Sequence, residues 1–423
     1  MMARTLRIIA KYPFGANYVL LVFLAGCSSL APLLATPTPA PVKQATSTPQ
    51  PEITQTAPPE IRPRVLRLWL PPQFDPNAAT TSANILNQRL ASFEAEHPGL
   101  EVEVRIKAEE GEAGLFNSLS VTSLAAPSAL PDLIALSRPA LEAAALKGLL
   151  HPIDGLSTTL DDPNWYGYAR QLGHIQNTGY GLPFAGDALI FAHRSDFEEI
   201  NSWEEILASE NSLAFAAGDP QGLVGLSLYI SAGGEFLDEQ GNPALDQDIL
   251  TRVLTLMADG VNAKVFSTLS VNVISNGQAL EEYQSERANM AVIWASNFRA
   301  PEDGLIMPLP GLDETTVSFA TGWMWALAGS NPENQQLAVE LADYLVADDF
   351  LGNWMGKAGF LPTRPSSVSE GEDAILPIIE SAQPIPSTDI LSVLGPLMQE
   401  ALVRVLNGEQ PEAVAGSVVE KLK

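Results

Sequence analysis

A single cysteine, Cys27, stands in the whole chain of 423 residues. Structural disulfides and thiolate-rich metal centres are therefore excluded. Histidine is scarce too: His97, His151, His174 and His193 are the four, and no two share a metal-ligand spacing. Basic residues are few, 23 against 50 acidic ones, for a net charge of −27. Such a surface repels nucleic acid phosphates and anionic lipid headgroups, and favours a monomer that stays in solution. No phosphate-binding glycine loop ending in Lys-Ser/Thr occurs. The acidic pairs Asp161-Asp162 and Glu204-Glu205 are adjacent in sequence. Neighbours of that kind do not converge as a general acid and base must, so they read as solvated surface and the chain is not read as an enzyme. No cofactor or metal is expected.

Long apolar runs are also missing. Tyr18 to Ala25 is the apolar stretch nearest the start, and it is too short to span a bilayer. It follows Arg4, Arg7 and Lys11 and ends in Leu24-Ala25-Gly26-Cys27. A basic start, a short apolar run and small residues before a cysteine fit a cleaved export signal. The pattern resembles the bacterial lipobox, which implies a signal peptide over 1–26 and lipidation of Cys27. Acyl chains anchor through buried methylenes, roughly 0.8 kcal/mol each. Residues 27–63 would then be a lipidated cysteine followed by a tether. Prolines recur there at 32, 37, 39, 41, 49, 51, 58, 59 and 63 among Thr, Ala and Gln. That composition buries too little apolar surface to offset the entropy of ordering, and proline keeps it extended.

What the rest of the chain has is hydrophobic content, 46% overall, enough to build two cores. Val65 to Leu70 reads as a strand, Ile85 to Glu96 as a helix, and Leu100 to Ile106 as an alternating strand. Leu115 to Leu124 and Leu141 to Leu146 read as helices around a buried strand at Leu133 to Leu136. Strand and helix in alternation predict a parallel sheet covered on both faces. Further on, Ser202 with Glu205 makes a capping box, Asp248 to Asp259 is amphipathic, and Ala291 to Trp294 is a buried strand. Ser318 to Ala328 alternates, and Pro332 to Val346 is a long helix with proline in its first turn.

Between the two αβ regions lies Tyr180-Gly181-Leu182-Pro183-Phe184-Ala185-Gly186-Asp187. Proline stiffens it, and glycine relaxes it on either side. Leu305 to Gly311 and Gly359 to Pro365 are two more proline-bearing stretches. Three such crossings predict two lobes with separate sheets and a binding cleft between them. The split is expected at residues 65–184 plus 312–358 for one lobe, and 185–311 plus 359–423 for the other.

Several stretches in this order resemble one family. They are Phe93-Glu94-Ala95-Glu96-His97-Pro98-Gly99, Pro131-Asp132-Leu133-Ile134, Gly181-Leu182-Pro183-Phe184, Trp203-Glu204-Glu205, Met307-Pro308-Leu309-Pro310-Gly311 and Leu361-Pro362-Thr363-Arg364. Together they are similar to the extracellular solute-binding proteins of bacterial ABC importers, in the family-1 group with many sugar binders. The resemblance implies an α/β, two-lobed periplasmic-binding-protein-like fold of type II. It also implies a small-molecule solute, a carbohydrate foremost, delivered to permease subunits outside the cytoplasm. Peptides, polyols and glycerol phosphates stay open as ligands, as does a surface lipoprotein with no transport role.

A sugar offers C–H faces for aromatic rings and hydroxyls for planar polar groups. On that chemistry the candidate ligand residues are Trp69, Phe184, Asp187, Tyr229, Trp294, Asn297, Trp323 and Arg364. Trp69 ends a strand, Asp187 follows the hinge glycine, and Trp323 adjoins Gly322. Arg364 has a second reading, as the partner of a carboxylate within the fold.

Overall fold

The computed structural model describes residues 64–194, 200–298, 304–313, 315–329, 331–368 and 373–423. Cys27, the apolar run before it and the proline-rich stretch to Pro63 lie outside the described residues. The described residues form one compact unit.

Three parallel strands open it. β1 (Arg64–Leu70) lies between β2 (Leu100–Ile106) and β3 (Leu133–Ser137), as the hydrophobic pattern requires. Helices α1 (Thr81–Glu96), α2 (Leu115–Ala125) and α3 (Arg138–Leu146) connect and cover them. Thr80 caps α1 by accepting from Ala83 N at 3.1 Å. Helix α4 (Gly167–Leu172) and the two-residue strands β4 (His174–Ile175) and β5 (Thr178–Gly179) then lead to β6 (Gly181–His193), buried along its full length.

The later elements are α5 (Trp203–Ala208), β7 (Leu213–Ala214), α6 (Leu223–Ser231), α7 (Gln247–Asn262), α8 (Asn276–Gln284), β8 (Met290–Trp294) and β9 (Leu305–Pro308). β10 (Ser318–Leu327), α9 (Pro332–Leu345), α10 (Asp348–Ala358), α11 (Leu376–Ser381), β11 (Ala382–Pro384), α12 (Thr388–Leu406) and α13 (Pro411–Glu420) complete the chain.

Two hydrophobic cores result. The first packs β1, β3, α1, α3, α9 and α10 around Leu66, Phe93, Leu133 and Trp354. The second packs α6, α7, α12 and α13 around Leu226, Leu254, Met398 and Val414. The two lobes do not carry separate sheets, and that expectation is corrected here. The ladder runs β2-β1-β3-β10-β6-β8-β7 without a break. Strand length is the reason. β6 has 13 residues, so Gly181 to Ala188 pairs with β10 while Leu189 to His193 pairs with β8 and β9. β10 likewise pairs with β3 at Trp323 to Leu327 and with β11 at Ser318 to Ala320. The crossings are thus made by two long antiparallel strands, with a third contact where Leu361 exchanges both backbone bonds with Gly186.

Gly186 and Gly322 face each other where the two long strands cross. No side chain fits at either. A Cβ on Gly186 would run into the Tyr168 hydroxyl and come within 2.9 Å of Leu361 O. One on Gly322 would meet Ala185 O at 2.5 Å. Pro183 sits inside the ladder opposite Met324, and the register slips between Trp323 and Met324, so that Phe184 is left without a partner. A bulge beside a residue that cannot donate to the ladder is the expected accommodation.

Candidate functional site

A cavity of about 760 Å³ opens above this crossing. The C-terminal ends of the parallel strands bring the first lobe to it. Gln73 follows β1, Glu109 follows β2, and Ser137 ends β3. In an open α/β sheet that edge is where ligands bind, because the connecting loops are free to carry polar groups there. Thr80 and Ser82 come from the start of α1, and Phe360 follows α10. Gln73 donates to Glu109 Oε2 at 3.1 Å, which ties two of these loops together.

The second lobe contributes Trp294, Ser296 and Asn297, and Gln221 just before α6. Trp294 ends β8 opposite Leu189, two residues beyond Asp187 on β6. A short 3-10 turn, Ala295–Asn297, follows it. Asp187 holds this turn. Its Oδ1 accepts from Ser296 N at 3.0 Å and from Ala188 N at 2.9 Å; its Oδ2 accepts from Ser296 Oγ at 2.6 Å. Trp294 is half-buried and is held at its nitrogen. With its amide turned to satisfy both ends, Asn276 donates to Val292 O and accepts from Trp294 Nε1, each at 3.3 Å. The indole plane is thereby fixed before any ligand arrives.

From β10 come Thr321, opposite Asp187 in register, and Trp323. Trp323 stands on an aromatic floor. Its ring meets Phe74 edge-on at 5.4 Å, and Phe74 meets Phe184 at 4.9 Å. Packing of this kind keeps the ring from rotating away.

Asp187, Trp294, Asn297 and Trp323 therefore line the cavity. The other four anticipated ligand residues lie elsewhere. Trp69 points into the first core at 2% exposure, under the Lys107 ammonium at 4.7 Å. Strand parity turns it away from the edge that its position reaches. Phe184 stacks on Trp325 at 4.1 Å beneath the floor. Tyr229 is fully buried among α6 and α7, where its hydroxyl accepts from Asp246 N at 2.6 Å. Arg364 takes its second reading. It pairs with Asp162 at 3.1 Å and Asp348 at 3.3 Å, and lies 3.9 Å over the Trp165 ring. Gln73, Thr80, Ser82, Glu109 and Ser137 were not anticipated. The signal that marks them is position alone: a polar residue just past a predicted strand or opening a predicted helix.

Burial pushes the Asp187 carboxyl up to about 6, against the hydrogen bonds from Ser296 and Ala188, which lower it. In the unfolded chain the group titrates near 3.9. The folded protein thus holds this proton more tightly, and stability from this group falls as pH rises from about 4 to about 6. Above that window the deficit is constant, on the order of 3 kcal/mol. Asp187→Asn keeps the shape, and its amide can donate to Ser296 Oγ. Urea melts at pH 4.5 and 7.5 are expected to show a smaller loss of stability between the two pH values in Asp187→Asn than in the native protein. Equal losses in both would contradict the assignment.

The arrangement suits a neutral, hydroxyl-bearing solute: two aromatic planes, several hydroxyl and amide groups, and a wall carrying carboxylates. Among the described residues no group of three or more His, Cys, Asp and Glu could hold a metal ion. No described helix is long and apolar enough to cross a membrane. Residues 88–377 match the family model described as bacterial extracellular solute-binding protein. The chain belongs to that family. Its solved relatives agree on the fold. Maltose-bound MalE3 of T. maritima is 19% identical, with a TM-score of 0.64 over 85% of this chain and 98% of that one. The cyclic alpha-maltosyl-1,6-maltose binding protein of Arthrobacter globiformis is 14% identical, with a TM-score of 0.68 over 85% and 99%. A solute-binding protein of Thermotoga Lettingae bound with alpha-D-tagatose is 20% identical, with a TM-score of 0.62 over 85% and 98%. No protein of curated function matches the sequence. As a solute-binding protein, this chain has the two-lobed α/β architecture of periplasmic binding proteins, with its cleft between the lobes.

Proposed function

We propose that this solute-binding protein captures a neutral mono- or oligosaccharide outside the cytoplasm and hands it to the permease of an ABC importer. The observation that carries the reading is the pair Trp294 and Trp323, each locked by its surroundings, on the lining of one polar cavity. Carbohydrate is the solute class that uses both features, since hydrogen bonds alone barely offset the desolvation of its hydroxyls and aromatic planes cover its C–H faces. The sugars named for the structural relatives, maltose and tagatose among them, point the same way. Charge argues against an anionic solute such as glycerol phosphate. Glu109, Glu110 and Asp187 line the cavity against a single cation, Lys357. Closure of the two lobes on a bridging sugar would give the permease one shape to recognise.

A thermal-shift screen of sugars, polyols, dipeptides and glycerol phosphate tests this. Neutral sugars are expected to raise the melting temperature, and glycerol phosphate is expected to leave it unchanged. A screen answered by peptides or anions and not by sugars would remove the carbohydrate reading.

The lipobox-like sequence supports a lipid anchor at Cys27, with residues 28–63 as the tether and the lipid as the sole attachment to the membrane. Cells fed a fatty-acid analogue should label the native protein and leave Cys27→Ser unlabelled. Equal labelling of the two would sink the anchor. With a charge of −27 the protein is expected to work as a monomer.

A further inference from the structure

A second cavity, about 300 Å³, adjoins the first. The two share Pro139, Gln221 and Ile385 as walls. In character they differ. Pro220, Pro386, Leu391 and Pro396 give the smaller one an apolar lining. Its two ionic groups face each other, although Arg138 Nε is buried without a partner. Arg138 Nη1 pairs with Glu142 Oε2 at 3.2 Å, and Glu142 Oε1 accepts from Thr388 N at 3.2 Å. That second bond joins α3 of the first lobe to the first turn of α12 in the second, so the two sides of the pocket are tied together. Four of its lining residues are prolines, which have little freedom to lose when a ligand enters.

We propose that this pocket is a subsite for an apolar substituent on the bound sugar, a short alkyl group carried as a glycoside. A polar cleft that shares walls with a mostly apolar, proline-lined pocket favours a ligand with both parts. Free sugar fills the cleft and leaves the side pocket unused. An alkyl glycoside fills both, and burial of two methylene groups is enough for a tenfold gain. The inference rests on the sugar-binding reading above and adds to it the identity of the substituent.

The test is calorimetric. Whichever sugar of the thermal-shift screen binds tightest is compared with its own hexyl glycoside, kept below micelle-forming concentration. The native protein is set beside Ser392→Trp and Thr388→Phe, which place bulk in the pocket from exposed positions on α12. The hexyl glycoside is expected to bind the native protein at least tenfold more tightly, about 1.4 kcal/mol. Either variant is expected to reduce that gain to under twofold while leaving the free sugar's affinity unchanged. Equal affinities for sugar and glycoside in the native protein overturn the subsite and leave the sugar reading standing. A gain that survives both folded variants also overturns it. No affinity for any sugar of the thermal-shift screen overturns the carbohydrate reading and this inference with it.

Discussion

Trp294→Ala is expected to weaken sugar binding by about 1–3 kcal/mol, roughly 5- to 150-fold in Kd, the usual cost of truncating a buried aromatic anchor. The indole ends β8 on the cavity wall and is fixed at its nitrogen by Asn276. A ring held this way loses little entropy when a sugar stacks on it, so most of the contact energy appears as affinity. Stability should change less, because Trp294 is only half-buried. Trp323→Ala is expected to cost comparable affinity and more stability, since its ring is 7% exposed and rests on Phe74. Calorimetry beside a circular dichroism melt separates the two effects. Unchanged affinity in both folded variants would remove the stacking claim.

Gly186→Ala is expected to destabilise the fold by about 2–4 kcal/mol, combining overpacking with a disturbed buried hydrogen bond. The added methyl points at the Tyr168 hydroxyl. That hydroxyl donates to Pro362 O at 2.6 Å, so the side chain cannot move aside without giving up its partner. Leu361 O closes the remaining space. The strain falls where β6, β10 and the Leu361 segment meet. It should therefore loosen the join between the lobes rather than either core. Urea denaturation of the native protein and the variant checks this; superimposable curves would show that the crossing has room to spare.

Much of this architecture is legible in the sequence because apolar spacing reports burial directly. The alternating sequence of β2 forms a half-exposed strand, the Leu133 to Leu136 run is fully buried, and α7 is amphipathic, and each appears where its pattern places it. Local chemistry was equally readable at the start of α5, where Ser202 Oγ accepts from Glu205 N at 3.3 Å and Glu205 reaches back to Asn201 N at 2.7 Å. Helices α10 and α13 went unread. Each has glycine within it, Gly352 and Gly416, and glycine weakens the local preference that marks a helix. Both are held by packing on the rest of the molecule. α12 carries Pro396 inside it, about two turns from its start, although proline ordinarily marks a first turn.

The site was less legible than the fold, for a geometric reason. A sequence shows that Trp69 ends a strand, but not which side of the sheet it faces when the neighbouring strands are unknown. One residue of register separates a ligand contact from a core residue. Tyr229 belongs to a helix that is apolar all round, so its hydroxyl gives no clue that it is spent on Asp246. Trp294 and Asp187 were within reach because each sits at a change of structure, one closing a strand and the other beside the hinge glycine.

The most direct test is a crystal structure of the protein grown with the tightest-binding sugar of the screen. The account predicts a sugar ring in the cavity between the two lobes, its C–H face within about 4.5 Å of the Trp294 or Trp323 ring. Its hydroxyls should bond to groups from both lobes. A sugar bound away from that cavity, or one held with neither indole against it, would contradict the account.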